Sequence, residues 1–282
     1  LGEFQFKIVK PSNDILFYVK ANSVYSKDYE LKVIEVPSIA NFKMELYFPS
    51  YLNRKPESVN GTGSAVIPEG TRVTWKMDTD ATAEVEWTAE KSTFAFQKSE
   101  NVFTLVKNIF QNTDYQIVTS NSRVKNHEKM NYELSVIKDQ YPFIRVNNAP
   151  DSIKVAKNYL LGQVSDDYGL FKLQVVYYPK NKPQSTKRAA IGIKPSTFQQ
   201  FVFAFPGSLP VEQGISYEYY FEVFDNDAIH KNKSTRSSVF SYRIATNEEK
   251  QDEVLQQQNE NINSLQKLCI FLLSLLVKSL LV

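Results

Sequence analysis

The chain has 282 residues, 42% hydrophobic and 13% aromatic, enough apolar material for two packed cores and part of a third. Its 33 Lys and Arg against 31 Asp and Glu leave a net charge of +2, too even to make nucleic acid or an anionic surface an obligate partner. A lone cysteine, Cys269, excludes an internal disulfide, which favours a bacterial or an intracellular setting, and nine glycines argue against an active site built on Gly-rich loops.

The first 36 residues hold three expected strands, at 4–9, 15–21 and 29–34. Their order and spacing match the last three strands of a two-sheet sandwich. Residues 1–36 are therefore expected to be the truncated end of such a unit, with an uncovered apolar face that is marginal in water and the first target of a protease. The chain opens on mid-strand material with no basic, apolar leader, as a piece of a longer protein would.

The third of these strands recurs. Tyr29-Glu-Leu-Lys-Val-Ile-Glu-Val-Pro37 returns as Tyr132-Glu-Leu-Ser-Val-Ile-Lys-Asp-Gln-Tyr-Pro142 and, more weakly, as Phe240-Ser-Tyr242-Arg-Ile244. The tyrosines are 132 − 29 = 103 and 242 − 132 = 110 residues apart. In the first two copies a proline, which cannot donate to a ladder, closes the strand. A period near 100 residues is that of one immunoglobulin-like β-sandwich. The expected fold is mainly β: tandem immunoglobulin-like or fibronectin-III-like sandwiches at 37–138 and 139–245 after the truncated end at 1–36, then a C-terminal α-helix with an apolar tail at 246–282.

In the first complete module, Phe42, Met44, Leu46 and Phe48 alternate as the opening strand. A turn-rich loop with Pro49, Pro56 and Asn60-Gly-Thr-Gly63 follows. Val73, Trp75 and Met77 then share one face of a strand, Val85 and Trp87 one face of the next, and both tryptophans are read as core anchors. Further strands are expected around Phe94 and Phe96 and at 102–106, 115–119 and 132–136. In the second module strands are expected at 159–164, 170–178, 189–193, 198–205, 215–225 and 237–244, with a solvated basic hairpin at 180–188. Ile215, Tyr217, Tyr219, Phe221 and Val223 lie on one face, with Ser216, Glu218 and Glu222 opposite. A tyrosine near the start of that strand is where sandwiches fold their corner.

Past Thr246 the chain turns Gln- and Glu-rich with neither Gly nor Pro, a helix that Thr246 or Asn247 can cap. Leu255, Ile262 and Cys269 recur every seventh residue, with Leu265 between the last two, the start of a coiled-coil seam that Gln258 interrupts. Residues 268–282 are apolar except for two serines and Lys278, short of the roughly 17–25 residues that a bilayer core takes. Three readings of this tail stand: a membrane-seeking helix, a helix end buried in a larger assembly, or an artefact of a truncated or frame-shifted coding region.

Chemistry-bearing residues are sparse. His127 and His230 fall in different modules, and neither zinc-ligand spacing nor a Gly-x-Ser-x-Gly elbow is present, so no catalytic residue is assigned and the chain is not read as an enzyme. The loops carrying Asp166 and Asp167 and carrying Asp225 and Asp227 should emerge at the same end of the second sandwich. Four carboxylates there could hold Ca²⁺, a hard cation that takes oxygen ligands; the plainer reading is that they make Asx-turns and cap strand ends. Asn60-Gly-Thr62, Asn232-Lys-Ser234 and Asp151-Ser-Ile153 are short glycosylation patterns.

Several stretches in this order resemble an uncharacterised bacterial family. They are the Tyr-Glu-Leu-x-Val strands running into proline, Val66-Ile-Pro-Glu-Gly-Thr71, Ser165-Asp-Asp-Tyr-Gly-Leu170, Tyr219-Tyr-Phe-Glu-Val-Phe-Asp-Asn-Asp227, and Asn247-Glu-Glu-Lys before the Gln-rich helix. Over about 30–267 they are similar to the domain of unknown function 4175 found in Bacteroidota. That resemblance implies large envelope proteins with membrane helices near the N-terminus, immunoglobulin-like modules and long charged helices; the apolar tail departs from it. The expected role is a non-catalytic scaffold or protein-interaction module of a membrane-anchored envelope protein, its modules in the periplasm and its partners other envelope proteins, a coiled-coil partner among them. The alternative is a carbohydrate-binding or accessory module of a secreted hydrolase, with Tyr168, Tyr177, Tyr178 and Tyr220 exposed on one face.

Overall fold

The computed structural model describes residues 3–90, 92–148 and 159–279, and divides into two units, Leu1–Asp139 and Gln140–Val282. Asp151-Ser-Ile153 lies outside the described residues. The protein is mainly β with one C-terminal helix.

The first unit opens with two small ribbons. β1 (Ile15–Phe17) pairs with β4 (Tyr29–Leu31), and between them β2 (Lys20–Ala21) pairs with β3 (Val24–Tyr25). The strand expected at 4–9 does not form: no described strand pairs with this stretch, and Phe4 and Phe6 are 85% and 88% exposed. Alternation chooses which side chains share a face, but a strand exists only where a neighbour takes its hydrogen bonds. Asn121 Nδ2 ties this opening segment down by donating to the Glu35 carbonyl.

The body of the unit is a sandwich. One sheet orders β11 (Gln97–Ser99), β12 (Val102–Ile109), β8 (Thr71–Asp80), β5 (Ser38–Tyr47) and β6 (Glu57–Asn60). The other orders β10 (Ser92–Ala95), β9 (Glu84–Ala89), β13 (Thr113–Ser120), β14 (Lys129–Ile137) and β7 (Ala65–Pro68). Every second residue of β8 is fully covered: Val73, Trp75 and Met77 meet Trp87, Phe103, Ile117 and Leu134 in one core. Both tryptophans are core anchors. Trp75 Nε1 donates to the Tyr115 hydroxyl (2.8 Å), which donates in turn to the Gly63 carbonyl (2.6 Å). Gly63 is required here, because a Cβ would lie 2.3 Å from that hydroxyl.

Two corrections concern pairing. The stretch read as a turn-rich loop contains β6, which adds to β5, and β7 runs parallel to β14. The strand expected around Phe94 and Phe96 is two strands in different sheets: Phe96 N–H bonds the Val85 carbonyl, and the chain then crosses to pair with β12.

The second unit sets β15 (Phe143–Asn148), β16 (Tyr159–Ser165) and β19 (Phe198–Ala204) against β18 (Lys187–Ile191), β17 (Leu170–Pro179) and β20 (Ser216–Asp225). Both β21 (Ser234–Arg236) and β22 (Phe240–Arg243) pair with β20, so the closing strand expected at 237–244 is split. Ser237 marks the break, its Oγ accepting from Phe221 N–H. On β20 the expected faces are realised: Tyr217, Tyr219, Phe221 and Val223 are buried, and Tyr219 stacks on Phe205 with centroids 4.0 Å apart. The Tyr217 hydroxyl accepts from Glu212 N–H, the tyrosine corner expected at that strand's start.

Thr246 begins the helix α1 (Asn247–Ser279) with a capping box, since its Oγ1 accepts from Glu249 N–H while Glu249 Oε2 accepts from Thr246 N–H. The change of composition at Leu268 does not interrupt α1. Among the described residues no helix is long and apolar enough to cross a membrane.

Candidate functional site: the charged end of the second unit

The inward alternation of β20 delivers Asp225 to the end of the sheet with its side chain fully buried. The chain then turns back on itself, with Lys231 and Asn232 in left-handed backbone and Asn232 Nδ2 donating to the Asp225 carbonyl. That return brings Lys233 inward, its side chain only 8% exposed. Its ammonium is 2.6 Å from Asp227 Oδ2 and 3.3 Å from Asp225 Oδ2. Asp227 Oδ1 accepts from the backbone N–H groups of Ile229 and His230, and His230 Nδ1 lies 2.6 Å from Oδ2.

The two aspartates titrate in opposite directions. Burial pushes Asp225 above the usual carboxylate value and outweighs the Asp227 N–H and Lys233. Burial acts on Asp227 in the same sense, yet the hydrogen bonds from Lys233 and His230 more than offset it and hold that carboxyl below its usual value.

The other loop meets this one, as the sandwich topology predicts. Asp166 Oδ2 accepts from the N–H groups of Tyr168 and Gly169, and Asn226 joins the two loops by donating from Nδ2 to the Tyr168 carbonyl and from N–H to the Gly169 carbonyl. The carboxylate oxygens of Asp166 and Asp167 lie within 4.8 Å of each other, as do those of Asp225 and Asp227. Within the second pair, Lys233 supplies the positive charge that a bound cation would otherwise bring. Asp166 makes an Asx-turn. No signal in the sequence marks Lys233 beyond its place in a glycosylation triplet; only the fold converts a polar loop lysine into a buried counter-ion.

The four tyrosines of the carbohydrate alternative do not share a face. Tyr177 is 3% exposed and packs edge-on against Phe205 in the core, because adjacent strand residues point to opposite faces. Tyr178 and Tyr220 face outward, Tyr220 beneath the Arg236 guanidinium, while Tyr168 is half-buried in its turn. On that outer face Glu222 is buried by its partners Gln174, Arg236 and Ser234. Burial raises its pKa, but Arg236 and Gln174 lower it further, to a net position below the usual value.

No family model matches the chain, and no curated protein matches it. Several solved structures resemble part of the chain. The human OSCAR ligand-binding domain is 14% identical with TM-score 0.24, over 63% of this chain and 93% of that one. Fibronectin(III)-like modules of Clostridium thermocellum CbhA are 12% identical with TM-score 0.22, over 66% and 90%. A DUF3823 family protein from Bacteroides ovatus is 9% identical with TM-score 0.18, over 56% and 88%. At these identities and scores the likenesses carry no argument.

Proposed function

We propose that the chain is a non-catalytic spacing and interaction segment of a larger membrane-anchored envelope protein, its sandwiches carrying a helix that engages a partner. The observation that supports this is a contrast in how side chains are used. The buried charges of the second unit are consumed by one another, whereas every described side chain of α1 is exposed, from Asn247 to Leu272. The periplasmic setting and the link to the domain of unknown function 4175 are part of the proposal, on the motifs that resemble that family.

A second reading has its own observation. Across β15, β16 and β19 the outward rows are Phe143–Ser165–Phe198 and Arg145–Gln163–Gln200, each in register, and the second row lines a groove of about 300 Å³. Exposed rings either side of a small residue, beside a row of one guanidinium and two amides, suit a saccharide's apolar face and hydroxyls. A photo-crosslinking residue placed at Leu255 and, separately, at Gln163 of the full-length protein in its own cell separates the readings. Protein adducts from Leu255 with none from Gln163 are expected; saccharide adducts at Gln163 with none at Leu255 would replace the first reading with the second.

A further inference from the structure

The helix carries enough information to name what it pairs with. Among the described residues no strand packs along α1, and Leu255, Ile262, Leu265 and Leu272 are each at least half exposed. On a heptad, Leu255, Ile262 and Cys269 take the first core position, and Gln258, Leu265 and Leu272 the fourth. A β-branched residue at the first with leucine at the fourth is the choice that favours two parallel strands, and Ile262 with Leu265 makes it.

The flanking positions select the occupant. Charges there set partner choice in coiled coils, and like charges are one device by which a helix rejects its own copy. Here Val254, Asn259, Asn261, Gln266 and Leu268 border the seam, and none of them is charged. In a parallel pair Asn261 of one copy faces Gln266 of the other, so identical chains meet without like-charge repulsion. Gln258, an interruption in a single helix, faces its own counterpart when the pair is in register, and the two amides can satisfy each other. A one-heptad slip would set Gln258 against Leu265 and leave a buried amide unpaired.

We propose that α1 pairs with α1 of a second copy of this chain as a parallel, in-register two-stranded coiled coil over residues 255–272. This deepens the reading of the chain as an interaction segment and rests on it in one respect, that the helix is held out to be paired. Parallel register sets the two Cys269 side chains opposite each other, within the ~4.4–6.8 Å Cα separation that a disulfide spans. An antiparallel or staggered pair would separate them.

The experiment uses the full chain. In reducing buffer at micromolar concentration it is expected to sediment as a dimer. Copper–phenanthroline, which takes up the two electrons lost as two thiols release their protons and join, is expected to convert it to a covalent dimer on a non-reducing gel. Cys269→Ser should keep the dimer and lose the crosslink. Ile262→Asn combined with Leu265→Asn should sediment as a monomer, with the near-ultraviolet dichroism of the sandwich aromatics unchanged because both positions lie outside the cores. A monomer across the micromolar range overturns the proposal. So does a dimer that fails to crosslink, or one that the double substitution leaves intact. Failure here would leave the role in the envelope standing, since that is read from adducts in the cell and not from self-association of the purified chain.

Discussion

The two sandwiches protect their interiors by different means. In the first, the centre is tied by polar atoms: the Tyr115 hydroxyl links Trp75 to the Gly63 carbonyl inside a cluster of stacked rings. In the second, the centre is rings alone, Phe205 on Tyr219 with Phe221 and Tyr242 at its edges, and the polar groups sit at one end, where Lys233 bridges Asp225 and Asp227. A hydrogen bond inside a core is worth little on balance until one partner is removed, and a buried ion pair behaves the same way at larger scale. The two units should therefore fail at different places and by different amounts.

The largest effect is expected from Lys233→Met, which strands two buried carboxylates. It should cost the second unit about 3–5 kcal/mol at neutral pH, read from its denaturant midpoint. The deficit should shrink on acidification. Without the ammonium the folded-state pKa values of both aspartates rise, so in the variant protonation relieves the buried charge as pH falls through them. The intact protein should show the opposite trend. Asp227 and Glu222 have depressed folded-state values, so the stability they contribute is present above their ordinary 3.8 and 4.5 and is lost as pH falls through the lower folded values. Asp225, raised above 3.8, acts in the other sense and blunts that loss. A Lys233→Met deficit that does not change between pH 7 and pH 4 would break the assignment.

The same chemical change at two tyrosines sharpens the contrast. Tyr115→Phe leaves the Trp75 N–H and the Gly63 carbonyl without their shared partner and should cost about 1–3 kcal/mol. Thr246→Ala removes the cap of α1 and should cost the helix about 0.5–2 kcal/mol, read from its far-ultraviolet signal. Tyr219→Phe removes a hydroxyl that makes no hydrogen bond among the described residues, and should change stability by less than about 0.5 kcal/mol. In the intact protein Tyr219 should ionise late, since burial pushes it up to about 12; an absorbance titration of the variant against the parent checks this. Smallest of all, millimolar Ca²⁺ should leave the melting temperature of the intact protein unmoved, because the Lys233 ammonium already stands against both the Asp225 and the Asp227 carboxylates.

Much of the interior is legible in the residues alone. The period-two pattern of β8 and β20 assigns Trp75 and Tyr219 to the core, and Thr246 with Glu249 three residues on marks the helix start. The misreadings share one cause. Residues 4–9 have strand periodicity but no partner, β6 and β7 have partners but weak periodicity, and the crossing at Phe96 looks locally like an uninterrupted strand. Grouping Tyr177 with Tyr178 ignores the strand's own alternation, which opposes neighbours. At the charged end, sequence spacing brings the two Asp-bearing loops together correctly, but it does not show that the counter-ion arrives from Lys233, six residues past Asp227.

By itself, then, the chain determined which side chains face inward along its central strands and where the helix begins, because these follow from local periodicity and capping. Tertiary structure alone decided which strand each edge joins, which polar side chains are buried, and which charge answers which. Those depend on hydrogen bonds and electrostatic contacts between residues far apart in sequence, whose partners no local pattern names.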